Sequence, residues 1–148
     1  MHNKIPPPIV TAISGLAIYL SRSLFPTYHH TVADIFSAAF FLLGIATLSA
    51  AVLSFKQQQT TVNPLQPEKA SSLVISGIFK YSRNPMYIGM LLMLLSATLK
   101  FNVVGGIVVV LMFVLFITKF QILPEEAAMQ KIFGQAFVDY KATTRRWV

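Results

Sequence analysis

The stretch "MYIGMLLMLLSATLKFNVVGGIVVVLMFVLFITKFQIL", Met86 to Leu123, holds two apolar runs separated only by Lys100, Phe101 and Asn102. A connection that short turns the second run back along the first, so the pair reads as an antiparallel helical hairpin. Gly105 and Gly106, near the start of the second run, let two helices approach closely. The run over 103–123 has the roughly 20 residues that a helix needs to cross a bilayer. The run over 86–101 rises only about 24 Å, so it starts below the membrane surface or sits beside a thinned bilayer.

Two more apolar runs precede the hairpin, over 9–25 and 33–55. The first ends in Ser21, Arg22 and Ser23, where an arginine reaches the headgroups while its stem stays in hydrocarbon. A cleaved leader is the competing reading of that run, but it lacks a small-x-small exit into a soluble domain. Composition agrees with a membrane protein: of 148 residues, 55% are hydrophobic and 11% charged. The expected architecture is a single all-α integral membrane domain over 1–148, with about four transmembrane helices.

The formal net charge is +7, but the basic residues are scattered between apolar runs, which excludes an extended nucleic-acid-binding face. With four spans, one side collects Lys4, Lys56, Lys69, Lys80, Arg83, Lys131, Lys141, Arg145 and Arg146, while Arg22 and Lys100 fall on the other. The basic side is expected to be cytoplasmic, in an inner or plasma membrane, with both termini there. That places the connection over 56–84 and the tail from Pro124 on one face.

The connection is polar, carries Pro64 and Pro67, and then turns apolar at "SSLVISGIF", which reads as a segment packed on a helix core or a ligand, with Gly77 permitting a turn. In the tail, Pro124 suits a first helical position, and Met129, Ile132, Phe133, Phe137 and Tyr140 recur at helical spacing. An amphipathic helix over 124–142, lying in the interface, is the expectation.

Candidate chemistry concentrates on that face. In "SRNP", Asn84 is a good helix cap and Pro85 suits the first turn, so the helix start offers amides to an anion, although a capped span needs no ligand. Glu125 and Glu126 are two of five acidic residues. Adjacent helical positions diverge by about 100°, so one carboxylate can face a ligand while the other pairs with an arginine, or both can simply complement the helix dipole. Tyr81, Tyr87, Tyr140 and Trp147 suit an interfacial belt. His29 and His30 have only Asp34 nearby, too few ligands for a metal site, and the chain has no Cys.

Taken together, "LVISGIFKYSRNPMYIG" (Leu73–Gly89) and "EEAAMQKIFGQAFVDYKATTRRW" (Glu125–Trp147) resemble the isoprenylcysteine carboxyl methyltransferase and phospholipid methyltransferase group of small membrane enzymes. The resemblance runs from about Thr60 to the C-terminus. It implies transfer of a methyl group from S-adenosyl-L-methionine to a membrane-associated acceptor, lipid-like or carboxylate-bearing, at the cytoplasmic face. It further implies cofactor contacts from Leu73, Val74, Gly77, Ile78, Tyr81, Asn84, Pro85, Tyr87, Glu125, Tyr140 and Arg145. Catalytic roles fall on Arg83, Glu125, Glu126 and Arg146, one arginine steering an acidic acceptor. Many relatives carry His where this chain has Asn84, which cannot titrate, so no base is expected there. A small transporter or structural four-span protein is the alternative class, yet no span carries a midplane charge. The membrane sterol reductases, similar around the tail, have spans for which this chain has no room.

Overall fold

A computed structural model of the chain describes residues 5–25, 31–58 and 72–148, and every regular element among them is helical. His29, His30 and the connection over 59–71, with Pro64, Pro67 and Lys69, lie outside the described residues.

Helix α1, Pro7–Leu20, begins with a proline in its first turn and runs out into a single 3-10 turn, Ser21–Leu24. Helix α2, Thr31–Gln57, is the longest at 27 residues. After the connection, a 3-10 turn at Gly77–Lys80 leads into α3, Pro85–Phe101. Asn102 then reverses the chain into α4, Val103–Ile117. Its side chain accepts from the Gly105 amide at 3.1 Å and donates to the Ser21 carbonyl at 3.1 Å, so the hairpin turn is pinned to the end of α1.

The expected close approach within the hairpin is present: a Cβ on Gly106 would come within 2.5 Å of the Thr98 hydroxyl of α3. The α2–α3 crossing is equally tight, because a Cβ on Gly89 would meet the Gly44 carbonyl at 2.9 Å and Leu48 Cγ at 2.7 Å. Nearby, the Ser37 hydroxyl donates to the Ser96 carbonyl across the same pair of helices at 2.9 Å. Replacing Gly89 by Leu is therefore expected to force α2 and α3 apart and cost at least about 1–3 kcal/mol. The check is a lowered midpoint of thermal unfolding in detergent, with Gly15→Ala as control, since a Cβ there finds only an ordinary contact at 3.9 Å.

The core joins Ile18 of α1, Tyr87, Met90 and Leu94 of α3, and Val110, Phe113 and Ile117 of α4. The outward faces are also apolar, with Leu42 and Leu43 on α2 and Leu111, Met112 and Leu115 on α4 each more than half exposed. Such continuous apolar surface is the mark of a chain solvated by lipid or covered by a partner. By length and composition, two stretches can cross a membrane, Thr31–Gln57 and Val103–Phe133. The first and third expected spans are shorter helices, of 14 and 17 residues.

Pro124 stands in the first turn of α5, Leu123–Phe133, as expected, and α4 reaches α5 without a break through a π-helical turn, Thr118–Ile122. In that turn the Leu123 amide reaches back five residues to the Thr118 carbonyl, and this widening makes room for a proline that an ordinary helix would resist. The tail is two helices, which corrects the expectation of one over 124–142. Gly134, at φ +52° and ψ −124°, breaks it and starts α6, Gln135–Thr143, a backbone conformation open to glycine but not to residues with a side chain.

Candidate functional site

The chain returns on itself at one end of the bundle. Residues 144–147 after α6 lie against residues 82–84 before α3: the Arg83 amide donates to the Arg145 carbonyl at 3.0 Å. The Ser82 hydroxyl and the Asn84 side-chain amide both donate to the Arg146 carbonyl, at 3.3 and 2.9 Å. Asn84 thus stands at the cap position of α3, but its side chain makes no capping bond. It holds the tail instead, which corrects the expectation from sequence. Further along, the buried Tyr140 hydroxyl donates to the Phe79 carbonyl at 2.6 Å, fixing α6 to the 3-10 turn.

The two adjacent glutamates divide into different roles. Glu126 is clamped by two arginines, with Arg83 Nη2 2.8 Å from Oε1 and Arg146 Nη2 2.8 Å from Oε2, and each guanidinium adds a second bond through Nε. Arg83 Nη1 also donates to the Thr144 and Lys141 carbonyls, so its donors face protein acceptors. Burial alone would push the Glu126 carboxyl upward, but the bonds from Arg146 and Arg83 outweigh it and hold the group below the usual carboxylate range.

Glu125 receives the Tyr87 hydroxyl at 2.6 Å, and no cation pairs with it among the described residues. Burial pushes its carboxyl up to about 7; the Tyr87 bond pulls the other way, and the neighbouring Glu126 charge adds a further rise. One glutamate is thus held as an anion at neutral pH between α3, α5 and the tail. The other, beside a phenol, titrates at about 7.

The remaining expected residues scatter around this centre. Val74 is buried with Ala51 and Phe79 against α2, with Ile78 packed beside them, while Leu73 is half-buried. Gly77 has φ +60°, and a Cβ there would stand 3.0 Å from the Ser54 hydroxyl of α2. Pro85 is buried in the first turn of α3. Tyr81 is 79% exposed, and Arg145 is exposed with its carbonyl engaged. Among the described residues no group of three metal-ligating side chains forms.

Sequence reasoning missed Ser82, Thr144, Thr118 and Gln121. The first two act through a hydroxyl and a carbonyl, for which sequence carries no signal. Gln121, a polar residue inside an apolar run, was visible. A cavity of about 370 Å³ opens between α1 and α2 over α3, lined by Gly15, Ser37, Met93, Ala97 and Lys100, toward the other end of α3 from Tyr87.

A family model described as phospholipid methyltransferase matches residues 32–136, well over half of the chain. An uncharacterized protein of Haemophilus influenzae is 38% identical over 63 residues, which are 43% of this chain and 100% of that relative. No solved structure matches the chain.

Proposed function

Because the chain belongs to the phospholipid methyltransferase family, we propose that it is an integral membrane enzyme that uses S-adenosyl-L-methionine to methylate a membrane-associated, lipid-like or carboxylate-bearing acceptor. The observation that carries this reading is Glu125, a partly buried carboxylate whose bonded partner is a neutral phenol rather than a cation. A low-polarity carboxylate without a counter-charge fits a cationic ligand, and S-adenosylmethionine is one. When bound, that group supplies a methyl on a positively charged sulfur, ready for in-line attack by a nucleophile.

In this reading Glu125 and Tyr87 face the donor's amino group, an ammonium that S-adenosylhomocysteine keeps, and Asn84, Pro85, Gly77 and Ile78 shape the pocket around it. Leu73 and Val74 back the wall, Tyr140 closes it from the tail, and Tyr81 and Arg145 stand at its rim. Arg83, Glu126 and Arg146 position these parts relative to one another. With both clamp arginines committed to Glu126, steering of an acidic acceptor falls to Arg145. All four apolar stretches cross the bilayer, α1 and α3 at a thinned edge. The site and both termini face the cytoplasm, and the acceptor enters laterally with its apolar part in lipid. A carboxylate acceptor would already be ionised, and an amine acceptor would give its proton to Glu125.

The test is titration of detergent-purified protein with S-adenosylhomocysteine and, separately, with NADPH. Saturable binding of the first and none of the second is expected. Binding of NADPH alone would point to the reductase relatives, and binding of neither would remove the cofactor assignment.

A further inference from the structure

The π-helical turn lies three residues before the acidic pair, and its effect is rotational. On an uninterrupted α-helix continued from Ile117, Glu125 would sit about 80° away from the Ile117 face and Glu126 about 180° away, on the opposite side. A π turn absorbs one extra residue, so everything after it is set back by about 100°. Glu125 then returns to within about 20° of the Ile117 face, and Glu126 lies about 80° round. The structure follows the second pattern: Ile117 and Tyr87 share one core cluster, Glu125 meets Tyr87, and Glu126 meets Arg83. Phe120, which a plain helix would bring towards the core, is instead 43% exposed.

The turn is held from both sides. Gln121, 3% exposed, donates from Nε2 to the Ile5 carbonyl ahead of α1 at 2.8 Å. Trp147 Nε1 donates to the Thr118 hydroxyl at 3.3 Å. Two distant chain segments thus converge on the stretch where the helix changes pitch.

We infer that the Thr118–Ile122 turn is a register device that aims the acidic pair, with Thr118 and Gln121 as positioning residues for Glu125 and Glu126. This rests on the proposed donor site for its functional consequence, but its geometry stands apart from it. Segment length sets which carboxylate faces α3, and the bonds of Thr118 and Gln121 hold the turn in that register.

The experiment inserts one Ala between Leu123 and Pro124, and in a second protein combines that insertion with deletion of Ile122, which restores the length, leaves Thr118 and Gln121 in place and puts Leu123 at the buried Ile122 position. The insertion is expected to turn the pair away and weaken S-adenosylhomocysteine binding on the order of 100-fold. The length-restored protein should return to within about threefold of the parent. Trp147, the sole tryptophan, gives a readout independent of any ligand. Once Glu126 no longer clamps Arg146, its emission should shift to the red and become more open to acrylamide, and both changes should reverse in the length-restored protein. A simple loss of stability would be deepened, not repaired, by a second change. The inference is overturned if the insertion leaves Trp147 emission unchanged, or if restoring length does not restore it. If the parent itself binds no S-adenosylhomocysteine, the failure falls on the proposed function, and the Trp147 pattern still decides the register.

Discussion

Replacing Glu126 by Gln is expected to lower stability by about 3 kcal/mol, because it leaves a buried guanidinium without its counter-charge. The Arg83 and Glu126 side chains are 9% and 10% exposed, so solvent does little to replace the lost partner. The Arg146 arm, 37% exposed, contributes less because water screens it. The loss should also be mechanical, since the same carboxylate joins α5 to the start of α3 and to the tail. Gln keeps the shape and one acceptor oxygen but cannot balance two cations. The pH dependence has a definite sign. The native Glu126 carboxyl lies below its ordinary value, so its contribution is complete above the unfolded value of about 4.3 and is lost as pH falls through the lower native value. Thermal unfolding in detergent between pH 8 and pH 3.5 should show this acid-side loss in the parent. It should be absent in Glu126→Gln, which starts lower and keeps only the opposite change that Glu125 produces above about pH 4.3. Equal midpoints for the two proteins at pH 7 would contradict the clamp.

The adjacent substitution should do the opposite. Glu125→Gln is expected to leave stability at pH 8 unchanged or raised, by at most about 3 kcal/mol, while S-adenosylhomocysteine binding falls on the order of 100-fold, as for a buried charge pair that loses one partner. Burial favours the protonated form of Glu125, whose carboxyl sits at about 7. For a raised group, the stabilisation is fully present below the unfolded value and is lost as pH rises through the native one. The parent should therefore lose stability between about pH 4.3 and pH 7, and the Gln variant, with nothing to ionise, should not. Ligand binding runs the other way: the ammonium group of S-adenosylhomocysteine pairs with the ionised form, so affinity should weaken as pH falls below about 7. A variant that binds as the parent does, or unfolds as readily as Glu126→Gln, would contradict the division of roles between the two glutamates. The contrast between neighbours is the stronger measurement, since both changes remove one charge from the same helical turn.

These predictions separate what short-range pattern can fix from what it cannot. The run of apolar residues around "KFN" determines a helical hairpin, because so short a connection permits no other path, and Gly105 and Gly106 mark where its helices touch. The scarcity of acidic residues and the ordered pieces from Leu73 to Trp147 were enough to place candidate chemistry at one end of the bundle. Periodicity failed at Thr118–Ile122, because one extra residue absorbed by a π turn rotates everything after it without leaving a mark in hydropathy. It failed again at Gly134, where a single positive φ divides the tail. Asn84 has the sequence of a cap and the job of a tether, since its amide finds a carbonyl 62 residues further along the chain. Sequence alone determined an apolar helical chain with its reactive groups gathered at two places along it. Only the tertiary structure decided that Glu126 is neutralised by Arg83 and Arg146 while Glu125 faces a phenol. That choice depends on helix phase and on where the tail returns, and both arise from contacts between residues far apart in sequence.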